Sequence, residues 1–174
     1  MADPFDTLGV EPRFDLDPGA IRRAYLSRVA ATHPDTDAAA DGRASAALND
    51  AKRVLEDPER RANALLARMG GPSKEQDKSL PAGFLADVIE LRESVEIALA
   101  SKEGDARTRV EDEAQTRRSD HIRRITELFL AAGPSPSGAT LAAIRVELNA
   151  WRYVERLIEQ LDPAYDPNRA DFAP

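Results

Sequence analysis

Apolar residues recur at intervals of three and four along almost the whole chain, the period of one face of an α-helix. Asp3-Pro4 opens a short segment carrying Phe5 and Leu8, and Gly9 closes it. Asp17-Pro18 joins an N-cap acceptor to a proline at the first helical position, where its missing amide costs nothing. From there Ile21, Ala24, Tyr25 and Val29 predict one apolar stripe, with Arg22, Arg23 and Arg28 largely off it. Pro34 disfavours helical geometry in the residue before it, so this helix is expected to stop near Thr32 or His33. The loop TDAAADG follows. A further helix reads ASAALNDAKRVLE, with Ala44, Leu48, Ala51 and Leu55 on one face. Asp57-Pro58 repeats the cap chemistry and opens a helix with Leu65, Leu66 and Met69 that ends at Gly70-Gly71.

The segment after it, GGPSKEQDKS, is polar and rich in helix breakers, the pattern of a linker. Beyond it the periodic runs lengthen. Phe84, Val88, Leu91 and Val95 mark a helix from Pro81 to about Ala100. Val110, Ala114, Ile122, Ile125, Leu128 and Phe129 mark another from about Asp105 to Ala131. After the break GPSPSG, a third runs from about Thr140 to Leu161. Its stripe is Leu141, Ile144, Leu148, Trp151, Val154 or Glu155, Ile158 and Leu161. Three long amphipathic helices with short connections predict an antiparallel three-helix bundle. The expected layout is all-α: an N-terminal unit over 1–71, a linker over 72–80, the bundle over 81–161 and a disordered tail over 162–174, where DPAYDPNRADFAP has little to bury.

Composition narrows the function classes. Only 5% of the residues are aromatic, and alanine and leucine dominate the apolar set, which favours helix on helix over a sheet. A net charge of −7 argues against a general nucleic-acid binder. No apolar run approaches the length of a membrane span and the first residues carry no basic, apolar signal, so a cytoplasmic address is expected, with no membrane partner. The absence of cysteine excludes disulfides and thiolate metal sites, and His33 and His121 alone cannot build a multi-histidine site. No cofactor is expected.

One tripeptide carries candidate chemistry. In ATHPDTD, His33, Pro34 and Asp35 follow directly on the helix with the arginines. A His–Asp pair can serve acid–base catalysis, but these two flank a proline on a loop, and no serine, cysteine or second base joins them in any motif. Glycine-rich phosphate loops are absent. No enzyme activity is expected. Locally the tripeptide reads as punctuation, proline ending one helix and aspartate opening the next turn. In context it stands at the tip of a helical hairpin, where proline lowers the ordering cost of an exposed loop and suits it to being gripped by a partner.

The run DPFDTLGV, then IRRAYLSRVAATHPD, then LNDAKRVLEDPERRA resembles the J domain, the module that docks on Hsp70 chaperones. LNDAKRVLEDPERRANALL, a glycine-containing break and then FLADVIELRESVEIAL resemble the HscB/Jac1 co-chaperones of iron–sulfur cluster assembly, which join a J domain to a C-terminal three-helix bundle. WRYVERLIEQL is similar to the end of that family's last helix. The resemblance covers roughly residues 3–161.

The resemblance implies a co-chaperone that stimulates the ATPase of an Hsp70-type (HscA-like) partner and delivers to it an IscU-like scaffold protein carrying a nascent cluster. On that basis His33, Pro34 and Asp35 match the ATPase-stimulating tripeptide, and Arg22 and Arg23 lie on the helix whose basic face meets the chaperone. Taken singly, each arginine is as well explained by a solvated helix face. Leu85, Ile89, Glu90, Glu93 and Tyr153 match the scaffold-binding surface. Periodicity adds that Leu85 and Ile89 lie four apart beside the Phe84–Val88–Leu91–Val95 stripe, an apolar strip that Glu93 continues. The plain alternative for that pair is core packing, and for Tyr153 an amphipathic rim position. Trp151 is expected in the core.

Several positions depart from the family pattern. Thr36-Asp37 follows the tripeptide where a basic residue is common. Arg28 takes a usually apolar position, Thr32 one that is often tyrosine, and Lys52 and Ala64 replace aromatics, which predicts a loosened or differently packed J domain. Ala86 and Ile97 differ on the scaffold-facing side. With no cysteine, any cluster must be held by the partner. A different assignment keeps the J domain but gives it a general Hsp70, with the bundle as a dimerisation or targeting module for another client.

Overall fold

The computed structural model describes residues 2–31, 38–101 and 104–162, and among them every regular element is an α-helix. The order is α1 (Pro4–Leu8), α2 (Pro18–Ala31), α3 (Ala38–Glu56), α4 (Pro58–Arg68), α5 (Phe84–Ala100), α6 (Gly104–Ala132) and α7 (Gly138–Leu161). His33, Pro34 and Asp35, with Thr32 and Thr36-Asp37 beside them, lie outside the described residues, as does the expected tail beyond Asp162.

Helix starts follow the cap chemistry. Asp3 accepts from the amides of Phe5 and Asp6, and Asp57 from that of Arg60, each ahead of a proline. Asp17 accepts from the amides of Gly19 and Ala20. At the end of α1, Gly9 takes φ 69°, the left-handed conformation that only glycine enters without strain. The Arg28 side chain crosses there from α2, its Nε donating to Leu8 O at 3.4 Å.

α2 and α3 are tied by Tyr25, whose hydroxyl bonds Asn49 Oδ1 at 2.7 Å. Lys52, at a position where the resembled family has an aromatic, lays its ammonium 5.6 Å from the centroid of the Tyr25 ring and pairs with Glu56 at 2.7 Å. Two expectations in this region fail. The residues Ala38–Gly42, read as loop, begin α3, because the helix propensity of three successive alanines outweighs Asp41 and Gly42. Val29 and Ala44 stand on the surface, so the apolar stripes of α2 and α3 reduce to Ile21 with half-buried Ala24 and Tyr25, and to Leu48, Ala51 and Leu55.

α5, α6 and α7 form the up-down-up bundle. His121 and Arg118 of α6 meet Glu147 and Glu155 of α7, so the two helices run in opposite directions. A lower apolar cluster holds Leu91, Val95, Ala114, Leu157 and Leu161. Leu157 takes the core position expected of Ile158, which is half-buried, a rotation of one residue about α7.

The principal core was not anticipated as one body. Phe5, Leu8, Ile21, Leu55 and Leu66 of the first four helices share a single cluster with Ile125, Leu141, Ile144, Leu148 and Trp151 of α6 and α7. The segment between α4 and α5 lies against this junction: Asn149 Nδ2 donates to Asp77 O at 2.9 Å and to Ser79 O at 3.0 Å. Trp151 is fully buried, its Nε1 bonded to Glu155 Oε1 at 2.6 Å.

Candidate functional site

Leu85 and Ile89 are the features of α5 that core packing leaves unexplained. They stand 56% and 55% exposed, while Phe84, Leu91 and Val95 on the same helix are buried. Residues 85 and 89 follow the core positions 84 and 88 by one step of about 100°, which rotates them off the buried stripe and towards solvent. The alternative that this pair packs in the core is excluded. Glu90 and Glu93 are exposed on the same helix, and Ile97, one turn beyond Glu93, is 69% exposed.

Tyr153 joins this face from α7. Its ring meets the Phe84 ring edge-on, with centroids 6.0 Å apart and planes at 70°, and the residue is 40% exposed. The structure therefore brings Tyr153 beside Phe84 at the start of α5, the helix that carries exposed Leu85 and Ile89. Arg92 pairs with Glu96 at 3.0 Å, so the charge left open on the helix is acidic. Such a face suits a partner that offers apolar contacts and cations.

Behind the face lies a polar group that periodicity does not reveal. His121 is buried on α6, where it takes a place in the apolar register between Ala114 and Ile125. Its Nδ1 donates to Glu147 Oε1 at 2.6 Å, and Arg124 Nε donates to the same oxygen at 2.8 Å. Burial works against ionisation of Glu147, yet the hydrogen bonds and charges of His121 and Arg124 outweigh it and hold the carboxyl below its ordinary value. A cavity of roughly 300 Å³ opens beside His121 between α5 and α6 and is lined in part by Phe84, Asp87 and Arg124. A lone histidine in an apolar stripe signals a buried polar pair, but its partner sits 26 residues away on another helix, out of reach of any local pattern.

The second candidate surface is on α2. Arg22 and Arg23 are exposed; Arg23 pairs with Asp17 at 3.4 Å and Arg22 has no partner among the described residues. Leu26 is exposed on the same helix. Among the described residues no cluster of acidic or histidine side chains is placed to hold a metal, and no helix is long and apolar enough to cross a membrane.

The two halves of the chain each match a known family. Residues 3–64 match the DnaJ domain, and residues 80–162 match the HSCB C-terminal oligomerisation domain. The co-chaperone protein HscB homologue of Bordetella petrii is 31% identical over 170 residues, covering 93% of this chain and 95% of the relative. The chain belongs to the HscB co-chaperone family. The HscB homologue of Burkholderia multivorans is 30% identical over 165 residues, 90% of each chain. The mitochondrial J-type co-chaperone jac1 of Schizosaccharomyces pombe is 26% identical, with 85% of this chain and 65% of that protein covered. In fold, chaperone HscB from Vibrio cholerae superposes with a TM-score of 0.72 over 92% of this chain and 95% of that one, at 20% identity. Human HscB gives 0.75 over 92% and 81%, at 18% identity.

Within the HscB frame, α1–α4 are the J-domain segment and α5–α7 the C-terminal domain. The core of this HscB family member runs through both: Trp151 of the second and Phe5, Leu8 and Ile21 of the first belong to one buried cluster. Arg28, which departs from the family pattern, is accounted for locally by its bond to the end of α1.

Proposed function

We propose that this HscB family member engages an Hsp70-type chaperone through its J domain, stimulates its ATPase, and delivers to it a scaffold protein of iron–sulfur cluster assembly. His33, Pro34 and Asp35 would act on the chaperone, with Arg22 and Arg23 supplying the basic contact. Leu85, Ile89, Glu90, Glu93 and Tyr153 would hold the scaffold. Holding both partners raises the effective concentration of one at the other. Docking of the tripeptide favours the hydrolysing chaperone state, which traps the client. With no cysteine in the chain, the cluster stays on the partner's ligands.

The observation that carries this reading is the exposure of Leu85 and Ile89, two large apolar residues four apart on α5, the helix whose Phe84 meets the half-exposed Tyr153 ring. The test has two arms. Steady-state ATPase of the cognate Hsp70 should rise with the parent and fail to rise with His33→Gln. Scaffold pull-down should succeed with the parent and fail with Ile89→Asp. A second reading rests on the matched domain's description as an oligomerisation domain: the same face would meet a second copy of the chain. Sedimentation separates them, since a dimer that Ile89→Asp dissociates, with no scaffold bound by the parent, favours the second.

A further inference from the structure

Phe84 is the hinge point between the exposed face and the buried polar group. It is the first residue of α5, 9% exposed, and its ring is held edge-on from two sides. On one side is Tyr153, at 6.0 Å and 70°. On the other is His121, at 6.0 Å and 75°. The three rings make one chain from the surface into the bundle. Aromatic edge contacts are directional, so the plane of the innermost ring constrains the next.

The inner ring is itself fixed. Glu147 from α7 receives both His121 Nδ1 and Arg124 Nε on one oxygen, at 2.6 and 2.8 Å. Charge-assisted bonds of this length set the imidazole plane and tautomer. Gly83, the residue before Phe84, has φ 81° and gives α5 no side-chain cap, so the first turn of the helix owes its placement to packing. That packing is Phe84.

We propose that His121 is a positioning residue for the apolar face of α5: locked by Glu147, it sets Phe84, and through Phe84 the relative placement of Leu85 and Tyr153 as one binding surface. This rests on the reading that the face holds the scaffold. The aliphatic half of the surface is then organised by a buried, hydrogen-bonded histidine on a neighbouring helix.

The experiment uses the full chain and a cluster-free scaffold protein. Scaffold affinity is measured by calorimetry for the parent, His121→Ala, His121→Phe and Ile89→Asp, and the aromatic resonances of Tyr153 are followed by NMR in each. Removal of the ring in His121→Ala is expected to weaken scaffold binding about tenfold and to shift the Tyr153 resonances. His121→Phe keeps a ring edge against Phe84 and leaves Glu147 with Arg124, and it is expected to restore affinity and resonances towards the parent. In the His121→Ala background, Tyr153→Ala should cost less than in the parent, because the two act through one ring. A His121→Ala protein that melts lower but binds as the parent does, with Tyr153 unshifted, overturns the proposal. Should His121→Ala not fold, His121→Phe and the milder His121→Asn carry the same comparison, and Asn, which keeps a donor for Glu147 but no ring, must then bind more weakly than Phe. If Ile89→Asp binds unchanged, the scaffold reading fails. The Tyr153 resonances then decide the positioning role alone, an unshifted Tyr153 overturning it.

Discussion

Arg145 Nη1 of α7 donates to Asn63 Oδ1 of α4 at 2.7 Å, linking residues 82 apart in the chain. Both ends of this bond sit at the junction where the J-domain segment meets the C-terminal helices. Arg145 is buried, its Nε has no partner, and burial lowers the pKa of its guanidinium. Removing Asn63 therefore strands more of a buried cation than removing the cation itself. Asn63→Ala is expected to destabilise the protein by about 2 kcal/mol, and Arg145→Met, of similar length and without a donor, by less. Urea unfolding of the two variants checks the order, and the reverse order would show that the bond is not what orders this seam.

Trp151 is the only tryptophan and lies in the cluster that includes Phe5, Leu8, Ile21 and Leu55. A shared core predicts one cooperative transition. Tryptophan fluorescence and far-ultraviolet circular dichroism should give coincident urea curves, and Leu55→Ala in α3 should move both by about 2–4 kcal/mol. Two separated transitions, with only the dichroism responding to Leu55→Ala, would mean that the segments melt independently.

Glu147 predicts a pH dependence of defined sign. Its carboxyl is held below the ordinary value of 4.5 in the folded protein. The unfolded chain thus takes up a proton first as pH falls. The ionised group's contribution is fully present above about pH 4.5 and is lost as the pH drops through the lower folded value. Glu147→Gln cannot titrate, so its stability relative to the parent should be poorest at neutral pH, with the gap closing in acid. Chemical unfolding of both proteins from pH 7 to pH 3 reads the difference; a constant gap refutes the assignment.

Gly9 combines φ 69° with a neighbour in the way, since a Cβ there would run into the Arg28 guanidinium. Gly9→Ala is expected to cost about 1–2 kcal/mol in thermal or urea unfolding. In an Arg28→Ala background the steric part vanishes and only the backbone part, about 1 kcal/mol, should remain.

The proposed chaperone contact through Arg22 and Arg23 predicts salt sensitivity. Charge reversal in Arg22→Glu should lower ATPase stimulation at low salt and flatten its dependence on ionic strength, because screening then has less attraction to remove. Equal stimulation by parent and variant at low ionic strength would place the contact elsewhere.

Helix number, order and most boundaries were legible because the apolar period and the Asp-Pro and glycine signals agree at each end. α1, α4 and α5 needed nothing more. The face at Leu85 and Ile89 was visible as a strip one step off the stripe, although spacing alone could not say whether another helix covered it. Three features were out of reach for physical reasons. Ala38–Gly42 carries turn residues and helix-forming alanines together, and the alanines win within a longer helix. The choice of Leu157 over Ile158 depends on the rotation of α7 in the bundle, which a drift of one residue in 24 decides. The pairs His121–Glu147 and Arg145–Asn63 join distant parts of the chain, and no local window contains both partners.

α7 takes part in both ends of the molecule. Its first half packs into the core with the J-domain helices, Arg145 and Asn149 grip α4 and the α4–α5 segment, and its second half carries Tyr153 and closes the lower cluster. At 24 residues it is a rod of about 36 Å. Because the rod is clamped along its length, it works as a gauge: the distance between the basic helix and the aromatic face is a built-in dimension of the protein. Under the proposed function, the two partners must fit that span, so size and shape would act as selectors alongside affinity.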